Sequence, residues 1–220
     1  MFGLSHHSLV QRQVLAPSLG ECVKVLVTGF EPFRKEDINP SWEVCKALPE
    51  TVSGACIVVK KLPVAFDDAK NQVLEFCDTL VPDVILHLGE AGGRTHISVE
   101  RIAVNCDDAK EKDNKGQKKE DELIDPHGED GYFVTLPVKN IVQALKKAGI
   151  PAVVSNSAGT YLCNHVLYSA LHHTKKNLTQ VGFMHLPYLP QQTVNKPGKA
   201  SMSLDIMVEA VKIAIRTVIE

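Results

Sequence analysis

A chain of 220 residues, 44% of them hydrophobic, has room for one α/β domain or two small ones and enough apolar content for a substantial core. Its formal net charge of -2 argues against a nucleic-acid surface or a membrane surface recruited by bulk electrostatics and leaves a small, roughly neutral partner. No apolar run reaches the length of about 18 to 20 residues that a membrane span requires.

The chain opens on MFGLSHHSLVQRQVLAPSLG, with no acidic residue, one arginine and no continuous apolar stretch of the signal-peptide kind. Residues 1–22 are read as a flexible extension in preference to a transit peptide. The six cysteines, Cys22, Cys45, Cys56, Cys77, Cys106 and Cys163, include no CxxC pair and no metal-type spacing. They are expected to be reduced thiols of an intracellular, cytoplasmic protein, at least five of them serving as small apolar residues.

Residues 23–28 (VKVLVT) form the first predicted strand, and the TGFEPF turn that follows aims Phe30 and Phe33 at its carboxyl end. Flat apolar walls there suit either a core plug or a planar ring ligand. Helical period then predicts helices over 41–48 and 66–80, separated by a strand over 56–62. Pro82 precedes a strand over 83–88 (DVILHL), and a glycine turn (GEAGGR) leads into ISVERIAVN, where Glu100 interrupts an apolar stretch. A buried carboxylate needs a partner. Glu100 is open to two readings here, an ion pair with Arg94 or Arg101, or a group orienting a histidine.

Residues 107–130 are dense in charge and nearly without apolar side chains, so they read as a long loop unable to order itself, either a solvated linker or a mobile flap beside a site. A helix over 138–148 stops at Gly149, and Pro151 introduces a strand over 152–155. The segment SNSAGTYLCNH turns into a helix over 160–172, a strand over 181–186 (VGFMHL) follows, and a helix over 204–218 carries an apolar stripe at three- and four-residue spacing. This alternation predicts one α/β domain with a twisted, mostly parallel or mixed central sheet and helices on both faces.

If Thr160 caps its helix, Cys163 stands in the first turn, where free N–H groups and the helix dipole favour an anion. Its thiol is then expected to have a lowered pKa, although a first-turn cysteine also packs as a core residue. Among nine histidines, His185 at the carboxyl end of its strand is the best-placed base. His87 reads as a core histidine with a satisfied hydrogen bond, His165 points away from Cys163, and His172 and His173 read as exposed. GxGxxG and Walker A patterns are absent, so no nucleotide cofactor is expected, and no metal or other cofactor is called for.

VLVTGFEPF, NPSW, LGEAGGR followed by ERIAVN, GTYLCNH and GFMHLPYLPQQ occur in one order along the chain. Together they resemble the diagnostic blocks of the pyroglutamyl-peptidase I family of cysteine peptidases, from about Lys24 to the C-terminus. The resemblance implies a pyroglutamyl-peptidase-like domain over residues 23–220. It also implies a triad of Cys163 as nucleophile, His185 as base and Glu100 as the group orienting it, acting through an acyl-enzyme on pyroglutamyl peptides. Phe30, Phe33, Tyr161 and Leu162 match residues around the family's lactam pocket, and Arg94 is a candidate to assist the oxyanion. Glu90 departs from the family's frequent Gln, and Lys110 from a nearby Arg. Homo-oligomers of two to four copies occur in such a family, as do monomers. Two rival readings are a non-catalytic pyroglutamyl or peptide-binding homologue and an enzyme of another class on a similar sheet, such as a nucleoside phosphorylase.

Overall fold

The computed structural model describes residues 22–34 and 36–220. All but the last residue of the expected extension therefore lies outside the described residues. Runs of β-branched and aliphatic residues form β1 (Lys24–Phe30), β3 (Ala55–Leu62), β4 (Val84–Glu90) and β9 (Gln180–Leu186), which lie parallel at the centre of one sheet. Two short strands flank them, β5 (Ile97–Glu100) antiparallel to β9 and β8 (Ala152–Ser155) parallel to β5. With β2 (Thr51–Val52) at the far edge, the seven strands run in the order β2-β3-β1-β4-β9-β5-β8. A separate antiparallel pair joins β6 (Ile102–Val104) to β7 (Gly131–Phe133). The mixed sheet agrees with the expected fold class; β2, β5, β6 and β7 are additional to the strands read from the sequence, being short and without a proline immediately before them such as the Pro151 that introduces short β8.

Side-chain alternation along each strand divides the core into two layers. Val25, Val27, Val84, Leu86, Leu88, Met184 and Leu186 pack under α1 (Pro40–Ala47), α3 (Val138–Lys147) and α6 (Leu204–Ile219). Leu26, Ile85, Val181 and Phe183 pack under α2 (Phe66–Leu80) and α4 (Leu162–Thr174). A single turn, α5 (Pro190–Thr193), follows β9.

Helix boundaries follow from local chemistry. Asn39 caps α1 through an Oδ1 that accepts from the Ser41 amide, with Pro40 at the first helical position. Gly149 takes φ +77 behind α3, the left-handed conformation that lets the Ile150 amide reach back to the Leu145 carbonyl. Thr160 does not cap α4. Tyr161 holds the capping position without a side-chain bond, and the Thr160 hydroxyl instead donates to the Asp108 carbonyl at 2.8 Å.

Two further expectations are corrected. Cys22 and Cys56 form a disulfide, so only Cys45, Cys77, Cys106 and Cys163 are free; the parallel register pairs Lys24 with Cys56, the Cys56 amide donates to the Val23 carbonyl, and Cys22 is thereby brought within reach of Cys56, which spacing could not reveal. The charged segment after Asn105 is also ordered. Asp107 pairs its backbone with Glu122, and Asp113 accepts from the amides of Lys115, Gln117 and Phe66. Carboxylates that accept backbone N–H groups supply the order that apolar burial lacks.

Candidate active site

Because strand side chains alternate, Phe183 and His185 project from the same face of β9, the face covered by α4. The register sets Gly89 of β4 beside His185 on one side and Ser98 of β5 beside it on the other. Glu100 lies two residues beyond Ser98, on the same face and diagonal to His185. There His185 Nδ1 donates to Glu100 Oε1 at 2.8 Å, both side chains being buried. A carboxylate only accepts, so the bond assigns the proton to Nδ1 and leaves Nε2 as the basic atom. Arg94 Nη1 donates to Ser98 Oγ at 2.7 Å and lies 3.6 Å from the same carboxylate oxygen. Glu100 Oε1 thus contacts both His185 and Arg94.

The thiol of Cys163 reaches this row through a gap. A Cβ built on Gly89 would stand 2.9 Å from Cys163 Sγ and 2.6 Å from the Phe183 ring, which itself lies 4.6 Å, centroid to centroid, from the His185 ring. Gly89 thus makes room for the thiol on the strand residue that stands beside His185. Cys163 is the second residue of α4, where amide N–H groups lack intrahelical acceptors. The expected lowering of its pKa is nevertheless overturned. Enclosure by protein, followed by the negative charges of Glu100 and Glu90, pushes the thiol up to about 12 against the weaker pull of Arg94 and its own amide. In the resting site the sulfur carries its proton.

Beside the thiol lies an aromatic wall. Phe33 and Tyr161 approach to 5.6 Å between ring centroids, and Phe66 meets Tyr161 edge-on at 5.3 Å. Phe33 and Tyr161 are half-buried, whereas Phe30 and Leu162 sit deeper in the same apolar cluster. The Arg34 guanidinium covers Phe33 at 4.9 Å. Of the four pocket candidates, Phe33 and Tyr161 are the pair brought into ring contact.

The family model described as pyroglutamyl peptidase matches residues 23–220, the whole chain apart from its first 22 residues. The chain belongs to the pyroglutamyl peptidase family. It is 47% identical over 200 residues to pyrrolidone-carboxylate peptidase 1 of Caldanaerobacter subterraneus subsp. tengcongensis, covering 90% of this chain and 98% of that one. A pyrrolidone-carboxylate peptidase of Escherichia fergusonii is 47% identical over 195 residues, covering 88% and 91%. Among solved structures, a mutant pyrrolidone carboxyl peptidase of Pyrococcus furiosus superposes with a TM-score of 0.86 at 46% identity, covering 89% of this chain and 97% of that one. Pyroglutamyl peptidase I of Bacillus amyloliquefaciens superposes with a TM-score of 0.85 at 40% identity, covering 89% and 96%. The chain is accordingly an enzyme, a hydrolase of the peptidase class.

Within this pyroglutamyl peptidase scaffold His87, His165, His172 and His173 make other contacts. His87 is fully buried and its Nδ1 pairs with Thr28 Oγ1 at 2.7 Å, but Nε2 finds no partner among the described residues, so its hydrogen bonding is half satisfied. Burial lowers its pKa to about 3. His165 is buried and bonded to Asp107, while His172 and His173, partly exposed, pair with Tyr132 and Asp78. Glu90 accepts from Gln192 Nε2 at 2.7 Å, and burial holds its carboxyl above the usual range. Gly89 and Ser98 were not singled out from the sequence. A glycine near the end of a buried strand is the signal that would have found the first, since it marks a close approach; Ser98 shares the two-residue period of Glu100. Among the described residues no group of three or more His, Cys, Asp or Glu could hold a metal ion, and no helix is long and apolar enough to cross a membrane.

Proposed function

We propose that this peptidase is a cysteine exopeptidase that hydrolyses the amide bond following an N-terminal pyroglutamyl residue, through an acyl-enzyme on Cys163. The observation that carries the reading is the thiol lodged against Gly89, the strand neighbour of a His185 whose Nδ1 is held by buried Glu100. The names of the relatives, pyrrolidone-carboxylate and pyroglutamyl peptidases, supply the substrate class.

Pyroglutamate is a lactam without a free α-ammonium, so recognition rests on shape and neutral hydrogen bonds. In this reading Phe30, Phe33, Tyr161 and Leu162 line the ring pocket. As Cys163 Sγ bonds to the scissile carbonyl carbon, its proton passes to His185 Nε2. The tetrahedral oxyanion receives hydrogen bonds from the Cys163 amide, with Arg94 adding positive charge nearby. His185 then returns the proton to the leaving amine, and the carbon–nitrogen bond breaks. Water, deprotonated by Nε2, attacks the thioester, and loss of the sulfur restores the thiol and frees pyroglutamate. Glu100 keeps the imidazole in the working tautomer and stabilises its protonated form. Pyroglutamyl peptides are the partners in this reading, and the cytoplasm is the site of action.

Release of pyroglutamate from a chromogenic pyroglutamyl amide tests the proposal. Cys163→Ala is expected to abolish turnover, and retained activity would sink the assignment. Glu100→Gln, which keeps a hydrogen bond but loses the charge, is expected to lose less than the Cys163 or His185 variants. A wild-type chain that binds the amide without cleaving it would instead mark a binding homologue.

A further inference from the structure

A second carboxylate–imidazole pair lies close to the site and takes no part in the proposed chemistry. Asp107 Oδ2 accepts from His165 Nδ1 at 2.7 Å, with both side chains almost wholly buried. Lys119 Nζ stands 3.4 Å from the same oxygen and 5.3 Å from the centroid of the Phe66 ring, which in turn meets the His165 ring edge-on. A charge taken out of water at this depth persists only where its partners are held in place.

The pair joins two distant parts of the chain. His165 stands two residues after Cys163 on α4, and Asp107 opens the charged segment. From Asp107 the segment folds back on itself, the Asp107 and Glu122 backbones exchanging hydrogen bonds and the Ala109 amide reaching the Lys119 carbonyl. Its tip bonds to Tyr161 of the aromatic wall and to the turn that carries Phe33. Tyr161 donates its hydroxyl to the Lys112 carbonyl at 3.3 Å, and Asn114 Nδ2 donates to the Pro32 carbonyl and to Glu31 Oε1, each at 3.0 Å. Glu111 lies 3.2 Å from the guanidinium that covers Phe33.

We infer that residues 107–122 form a fixed wall of the substrate pocket, held by the buried Asp107–His165 pair, so that Asp107 and His165 are positioning residues for substrate binding. The inference rests on the pyroglutamyl reading for its substrate but not for its geometry. Asp107→Ala frees the segment without touching the triad. Its KM for a pyroglutamyl amide is expected to rise about tenfold with kcat altered less than about threefold, the signature of lost binding in place of lost chemistry. Asp107→Asn, which keeps an acceptor for His165, is expected to restore KM. Alkylation of Cys163 by iodoacetamide is expected to be unchanged.

Limited trypsin digestion provides a readout that needs no substrate. Lys110, Lys112, Lys115 and Lys118 are expected to be cut early in Asp107→Ala and to resist in the wild type. An unchanged KM with equal resistance to trypsin would overturn the inference, as would a fall in kcat and alkylation at constant KM. If Asp107→Ala does not fold, Asn114→Ala at the opposite anchor decides the matter: a raised KM supports the wall and an unaltered KM removes it. Failure of the wild type to cleave the amide would refute the functional reading alone, and the trypsin pattern would still judge the wall.

Discussion

The sulfur of Cys163 lies where Gly89 would otherwise carry a side chain, with only 2.9 Å between Sγ and a Cβ built on that glycine. Contacts that close force something to move, and the facing atoms are the thiol and the Phe183 ring that abuts His185. Gly89→Ala is therefore expected to lower kcat on a pyroglutamyl amide by about a hundredfold or more, since small misplacements of reacting groups cost that much. Kinetics of the purified variant, with circular dichroism to verify its fold, would check this; near wild-type kcat would show that the thiol acts from elsewhere.

The raised thiol pKa has a spectroscopic consequence. With Cys163 pushed up to about 12, the resting enzyme holds a thiol and not a thiolate. The ultraviolet difference spectrum between wild type and Cys163→Ser is expected to show no thiolate band up to about pH 9, where an ordinary cysteine has already ionised substantially. A titration step below neutrality would contradict it and restore a preformed ion pair. In the expected case His185 takes the proton during attack, as it would from a serine.

Stability toward acid depends on His87. Its folded pKa of about 3 lies below the ordinary value of 6.5, so the unfolded chain binds the extra proton at intermediate pH. The contribution is complete above about pH 6.5 and declines as pH falls toward 3, by up to about 1.4 kcal/mol per unit. Urea unfolding across that range should show a shallower pH slope for His87→Leu than for the wild type. Identical slopes would mean that the buried imidazole is protonated in the fold.

The C-terminus of α2 is a place to gain stability. Val81 ends that helix at φ 45 with 71% of its surface exposed, a left-handed conformation that a β-branched side chain resists and glycine accepts. Val81→Gly is expected to raise stability by about 1 kcal/mol, read as a higher midpoint of thermal or urea unfolding. A lower midpoint would show that the unfolded chain's added freedom outweighs the relieved strain.

The main elements were legible because their signals are local. The bounds of α2 and β8 follow from residues 66–80 and 152–155 alone, and α6 from its apolar stripe. Cys163 and His185 could be nominated the same way, one from a strand-to-helix turn and the other from the end of a buried strand. Short β5, β6 and β7 escaped because three or four residues carry no recognisable period and no proline marks their start, as Pro151 marks that of the equally short β8.

What the sequence determined by itself, then, was the alternation of strands and helices, the family blocks and the candidate nucleophile and base, all of which depend on neighbours a few residues apart. Only the tertiary structure decided how they combine. His185 and Glu100, separated by 85 residues, meet because β5 runs antiparallel to β9 in one register and not the next. The thiol keeps its proton because burial and two carboxylates outweigh the helix terminus that local reasoning relied on. The charged segment is ordered because Asp107 and Asp113 turn inward to partners far along the chain. Desolvation and long-range pairing depend on everything that surrounds a group, and no local pattern contains that.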